Sequence, residues 1–288
     1  MKDYVAENER ILKEWRNSYV NDNQSKYPDC TNLHEYFTPD GIMFKGEFLP
    51  HRRFYPDGKS VFRWKRDCSG DENALWTIAP MRVLYLTKDQ NSYGDIAWDV
   101  RSESFRYRDE NYKPDEMWLD TGVTFYRNLV YSLYGILKTT IDQSMGYNDF
   151  TDKDALSFAD KQIFARINCK KEAGGDRCTN KMLYDAIYNN NNYNFLRDQV
   201  LNLDADIFVC CGLMFFMPSL LNDMEYHFKP QDNDNWIYYD SDRNKIAINS
   251  YHLSYSGFNY NNLISAYHDF LKKLYIDEQI DFTKSHRI

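Results

Sequence analysis

Four short runs of nearly uninterrupted apolar positions set the rhythm of the chain: Arg82–Leu86 (RVLYL), Ile163–Asn168 (IFARIN), Asp206–Gly212 (DIFVCCG) and Lys245–Asn249 (KIAIN). Each has the length of a strand and little polar alternation, the pattern of a strand buried on both faces. Between them the apolar positions recur at helical spacing, over Leu119–Thr140, Phe195–Leu203 and Phe258–Leu274. Residues 4–20 also read as a helix, with Val5, Ile11, Leu12, Trp15 and Tyr19 along one side. A long irregular stretch follows, marked by the turn signals YPD, TPDG and YPDG. Strands alternating with helices predict an α/β fold in three layers: a central four-stranded, mainly parallel sheet with helices on both faces. This domain would span 79–288. Residues 1–78 would form a helical and irregular extension packed on it. The polar run Asn189–Asn194 falls between predicted elements and reads as a connection within the domain.

Composition narrows the picture in a few places. The chain carries 24 Tyr and 18 Phe, so flat rings must build much of the core or of a binding surface. The charged N-terminal stretch MKDYVAENERILKEW lacks the apolar segment of a signal peptide, and the longest apolar run, Ile207–Met217, is too short to span a bilayer. A cytoplasmic protein with no membrane partner is expected. Six Cys occur without any C-x-x-C pair, so neither a zinc ribbon nor a disulfide framework is indicated. His227, His252 and His268 lack metal-site spacing, and no metal or cofactor is expected.

The net charge of −8 argues against nucleic acid as a partner, but its distribution is uneven. Lys45–Arg66 holds Lys45, Arg52, Arg53, Lys59, Arg63, Lys65 and Arg66 against Glu47 and Asp57 alone. Phe54, Tyr55, Phe62 and Trp64 are interleaved with these cations. Cations that track phosphates beside rings that stack on bases fit a nucleic-acid surface. A solvated segment whose rings pack on the core fits the same residues.

In an open parallel sheet, ligands bind beyond the carboxyl ends of the strands. The first strand runs into Lys88, Asp89, Gln90, Asn91, Tyr93 and Asp95; the second ends in Asn168 and continues as Cys169, Lys170 and Lys171. The third ends at Gly212, and the fourth runs into Tyr251, His252, Leu253 and Ser254. Each polar residue taken alone also suits a turn, a cap or a packed position. Together they bring a carboxylate, an amide and an imidazole to one edge. No G-x-G-x-x-G, P-loop, G-x-S-x-G or H-E-x-x-H pattern is present. Asp, Asn and His suit hydrolysis of a base–sugar bond. The carboxylate positions water and stabilises a cationic sugar, the neutral imidazole donates to the departing base, and the amide reads a base edge.

These residues resemble the uracil-DNA glycosylase superfamily. VLYLTKDQNSY is similar to its first motif, with Asp89 in the place of the water-aligning Asp and Gln90 where a Pro is usual. ARINCKK is similar to its middle strand, placing Asn168 as the base-reading Asn. YHLS is similar to its last motif, with His252 and Ser254 in the His and Ser places and Leu253 where a Pro is usual. The likeness covers roughly residues 80–275. DGIMF, WDVR, FYRNLVYSLYGIL, INCKKEAGG and DADIFVCCG also resemble a bacterial branch of uncharacterised proteins with this fold.

The resemblance implies a DNA N-glycosylase that hydrolyses the base–sugar bond of an unusual or damaged base in DNA, double- or single-stranded. Asp89 would position water, with Asp95 as the reserve carboxylate. Asn168 would read the base and His252 would stabilise its departure. Lys88, Asn91 and Gly212 would line the substrate, with Tyr93 or Phe125 stacking on the base. Lys170, Lys171, Ser254 and the basic Arg52, Arg53, Arg63, Lys65 and Arg66 would hold phosphate. Two other readings use the same residues: a nucleic-acid or nucleotide-binding module of this fold without catalysis, and an enzyme acting on a free nucleoside or sugar phosphate.

Overall fold

The computed structural model describes the chain apart from residues 1, 26, 27, 29, 45, 55–57, 68–70, 91–96, 104–118, 120, 121, 175–177, 190, 214–218, 258, 259 and 286–288; at 47–51, 53, 54, 61, 63–67, 102 and 103 it describes backbone alone. The strands are β1 (Gly41–Met43), β2 (Glu47–Phe54), β3 (Ser60–Asp67), β4 (Val83–Thr87), β5 (Phe164–Asn168), β6 (Ile207–Cys211), β7 (Lys229–Pro230), β8 (Ile237–Asp240) and β9 (Lys245–Ser250). The helices are α1 (Tyr4–Gln24), α2 (Glu72–Ile78), α3 (Val100–Glu103), α4 (Thr124–Lys138), α5 (Asp152–Ala159), α6 (Asn180–Tyr188), α7 (Asn192–Leu203), α8 (Ser219–Asp223), α9 (Tyr260–Glu278) and α10 (Phe282–Ser285).

The four apolar runs become β4, β5, β6 and β9, and they lie side by side in parallel in the order β5-β4-β6-β9. The expected four-stranded, mainly parallel sheet is nevertheless too small. Among the described residues the sheet has seven strands and is mixed, with antiparallel β1 against β5 at one edge and β8 and β7 beyond β9 at the other. The additions are short edge strands that close off the backbone hydrogen bonds of the central four.

Both faces of the central strands are covered. Val83 and Tyr85 face a core built with α4, α5 and α9, whereas Leu84 and Leu86 face one built with α1, α2, α6, α7 and α8. Uninterrupted apolar sequence follows directly from this two-sided burial. No helix among the described residues is long and apolar enough to cross a membrane.

The N-terminal region does more than lie on this sheet. It supplies β1, and α1 contributes Leu12 and Trp15 to the second core. The expectation of an irregular stretch after α1 needs a further correction, because β2 and β3 form an antiparallel ribbon through most of the basic segment. Pro50 and the dense charges of this stretch hide its strand character from the apolar pattern.

A buried ion pair locks the N-terminal region in place. Asp40, fully buried just before β1, accepts from the Lys171 ammonium at 2.5 and 2.6 Å, from the Asn168 backbone N–H at 2.7 Å and from the Gln199 amide at 2.9 Å. The Asn8 amide of α1 donates to the Asp40 backbone carbonyl at 3.0 Å. With its oxygens so fully used, the carboxylate tolerates burial; with one partner removed, it would not. Asp40→Ala is therefore expected to destabilise the protein by about 3–5 kcal/mol in chemical denaturation. Lys181→Ala, which breaks the exposed Lys181–Asp185 pair, should leave the midpoint unchanged. Equal effects of the two changes would refute the assigned role.

Candidate functional site

The strand order determines where a ligand can reach the sheet edge. From β4 the chain crosses to β5 on one side, and from β5 it returns past β4 to β6 on the other. The crevice of such a switch point opens between the carboxyl ends of β4 and β6. Lys88 and Asp89 leave β4 there, and Gly212 ends β6.

Two glycines make the approach possible. Gly212 has φ +75°, and a Cβ on it would lie 3.1 Å from the His252 Cβ and 3.2 Å from the Lys88 Cε. A Cβ on Gly174 would lie 2.8 Å from Asp89 Oδ2 and 3.2 Å from Lys170 Nζ. The bare backbone thus lets the loops after β4, β5, β6 and β9 converge on one spot.

Asp89 is mostly buried, its Oδ2 accepts no hydrogen bond, and Lys170 Nζ stands 3.9 Å away. Burial raises its carboxyl above the ordinary aspartate range, against the opposing pull of Lys170, the Cys178 thiol, Lys88 and Arg166. Leaving such an oxygen unsatisfied costs about 1–3 kcal/mol, an expense associated with functional sites. The neighbouring Cys178 thiol is pushed up to about 11 by burial and by Asp89, and so stays protonated.

His252 stands across Gly212 from Lys88. The Ser254 backbone N–H donates to its Nδ1 at 3.2 Å. A backbone N–H can only donate, so Nδ1 is the acceptor and the proton of the neutral ring sits on Nε2. Burial, then Lys88 and Arg166, lower its pKa to about 4. The ring is therefore a neutral donor at physiological pH. Phe125, in the first turn of α4, packs 6.1 Å from it, centroid to centroid.

The loop carrying His252 has no Pro, and its fixation comes from elsewhere. Leu253 is fully buried in the core, and the Asn128 amide of α4 donates to the carbonyls of Leu253 (2.6 Å) and Tyr255 (3.3 Å). Gln90 has a comparable task after β4. Buried, it donates to the Trp98 carbonyl at 2.8 Å and accepts from the Trp98 N–H at 2.9 Å, closing the base of the loop. Asn91, Tyr93 and Asp95 lie outside the described residues.

Asn168 is fully buried. Its Oδ1 accepts from Thr87 Oγ1 at 2.6 Å and weakly from the Arg166 guanidinium at 3.4 Å, while its Nδ2 has no partner. The expected base-reading pair of one donor and one acceptor is thereby reduced to a donor. The two lysines that follow are split by the alternation of extended chain. Lys170 turns toward Asp89 and donates to the Glu172 carbonyl at 2.7 Å. Lys171 turns the other way, to Asp40 and the Trp15 ring, so its expected phosphate role is corrected: its ammonium is already bound and buried. Lys88 donates to Asn180 Oδ1 at 3.3 Å, and Ser254 is exposed.

Arg166 escaped the sequence reading. It is buried on β5, stacks on the Phe125 ring at 4.4 Å and has no carboxylate within ion-pair distance among the described residues. A charged residue inside a buried strand, two positions before Asn168, was the available signal.

The register of the ribbon puts Arg53, Arg63 and Lys65 at positions of one face and Arg52 and Arg66 at positions of the other. Arg52 is exposed, and Phe62 packs against the core, which ties the ribbon down. Of these five basic residues, only the Arg52 side chain lies within the described part.

One potential metal-ligating trio occurs among the described residues: His227, Asp240 and Asp242. Asp240 already accepts the backbone N–H groups of His227, Asp242 and Arg243, which accounts for it as a turn cap. It pairs with Lys245 at the amino end of β9, the opposite edge of the sheet from Asp89. No protein-family model, curated protein or solved structure matches the chain.

The depressed pKa of His252 has a stability consequence. The unfolded ring takes up a proton near 6.5 and the folded one near 4, so the folded state is disfavoured as pH falls through that window. His252→Gln removes this contribution and is expected to flatten the decline of Tm between pH 6.5 and about 4. Parallel Tm–pH curves for the two proteins would show that the ring is not held neutral.

Proposed function

We propose that the protein is an N-glycosylase-like enzyme that hydrolyses the base–sugar bond of an unusual or damaged base in DNA. The carrying observation is that an unsatisfied carboxylate oxygen on Asp89 and a neutral imidazole on His252, which carries its proton on Nε2, follow neighbouring strand ends beside the same cation, Lys88, which faces His252 across Gly212. Lys88 and Arg166 act on both groups. Their positive field opposes protonation of His252 and favours ionisation of Asp89, the state the reaction requires.

In this reading the bond between C1′ and the base nitrogen breaks with its electron pair leaving on the base. His252 donates a hydrogen bond from Nε2 to the oxygen on which that charge gathers. Asp89 stabilises the cationic sugar and orients a water, whose oxygen bonds to C1′ while its proton passes to the carboxylate. Lys88 accompanies the phosphates, and the basic ribbon extends the contact with DNA. The setting is a bacterial cytoplasm. The resemblance of the three strand-end motifs to uracil-DNA glycosylases supports the same chemistry. The committed carbonyl of Asn168 favours a second reading, a binding module of this fold that has lost base excision.

Base release separates the two. DNA carrying uracil, hypoxanthine, xanthine or modified pyrimidines is incubated with the protein, and freed bases are detected by mass spectrometry. Asp89→Asn is expected to reduce release by about 10²–10⁴-fold while leaving oligonucleotide binding intact. Binding without release by the unmutated protein would replace the enzyme with the module.

A further inference from the structure

We infer that the base recognised at this site presents only hydrogen-bond acceptors and negative charge toward Arg166 and Asn168, as the O2–N3 edge of an ionised dioxopurine of the xanthine type does. This rests on reading the Asp89–His252 crevice as a base site, and it adds what that base must look like.

The argument is an inventory of donors and acceptors. An imide edge such as that of uracil offers one N–H between two carbonyls, so its reader must supply an acceptor as well as donors. Around Asn168 the acceptor is missing. Because a guanidinium can only donate, the Asn168 atom facing Arg166 is Oδ1, and Thr87 Oγ1 already donates to that oxygen at 2.6 Å. What remains open is Nδ2, fully buried and without a partner. Turning the amide over would set its N–H groups against the guanidinium.

The surroundings repeat the pattern. Arg166 is itself more than nine-tenths buried, and the groups it touches are neutral: Thr87 Oγ1 at 3.4 Å, Asn168 Oδ1 at 3.4 Å, the face of Phe125 and the side chain of Tyr126. His252 adds a further donor through Nε2, and Lys88 a cation beside it. The carboxylate that borders the site, Asp89, stands against Lys170 and Gly174, where the reading above assigns it to water and sugar. A ligand N–H aimed at the Arg166–Asn168 wall would meet donors. An anionic edge would satisfy the orphaned amide and give Arg166 a partner at ion-pair distance.

The test compares free xanthine, hypoxanthine and uracil by calorimetry on the full chain in mildly alkaline buffer, where xanthine is largely ionised. Xanthine is expected to bind at least about tenfold more tightly than either of the others. Asn168→Asp keeps an acceptor for Thr87 and gives Arg166 a carboxylate, so it should preserve the fold and abolish the preference. Arg166→Met should abolish it as well, by removing the charge. Equal affinities, a preference for uracil, a preference that survives both substitutions, or no binding of any base would overturn the inference. Its failure is distinct from failure of the enzyme reading. Uracil release from DNA that depends on Asp89, without xanthine preference, would retain the glycosylase and discard the acceptor-only edge; xanthine-selective binding without base release would do the reverse.

Discussion

The Asp40–Lys171 pair is the constraint on which the rest of this structure hangs. A carboxylate is tolerated in a dry interior only if its oxygens are used, and here the partners come from distant parts of the chain. Lys171 and the Asn168 N–H come from the end of β5, and Gln199 from α7. Asn8 of α1 reaches the same loop through the Asp40 backbone. The N-terminal segment is thereby fastened to the strand end that also carries Asn168 and Lys170. Fixing Lys171 on the side of Trp15 leaves Lys170 to the opposite side, where Asp89 stands.

The electrostatics of the crevice follow from where cations were placed rather than from how many there are. Burial alone would push Asp89 toward its neutral form, and it already favours the neutral form of His252. Lys88 and Arg166 oppose the first effect and reinforce the second. One field thus favours the deprotonated forms of two different groups. Arg166 accomplishes this from inside the sheet, where Phe125 covers it and the solvent cannot screen it.

Much of this was legible in the sequence, for identifiable reasons. β4, β5, β6 and β9 are buried on both faces, so each wrote itself as an apolar run of strand length, and the helices between them kept their period. The edge strands did not. β1 spans Gly41–Met43 and β7 only Lys229–Pro230, too short for any periodicity, and β2 with β3 is so charged that its alternation is lost. In the crevice, Asp89 and His252 were readable because they follow strand ends directly. The difference between Lys170 and Lys171 was not, since it depends on which side of an extended chain each occupies. Nor was the loss of the Asn168 acceptor, which is set by Thr87 on a neighbouring strand 81 residues away in the chain.

Gln90 has an architectural consequence. A single side-chain amide grips both the N–H and the carbonyl of Trp98, so positions 90 and 98 are fastened together by one small clasp. Lengthening a closed loop carries little entropic penalty, roughly 0.6 kcal/mol for each doubling. The clasp thus lets the sequence between positions 90 and 98 change in length, by natural insertion or by grafting, while β4 and the carboxylate beside the clasp keep their places.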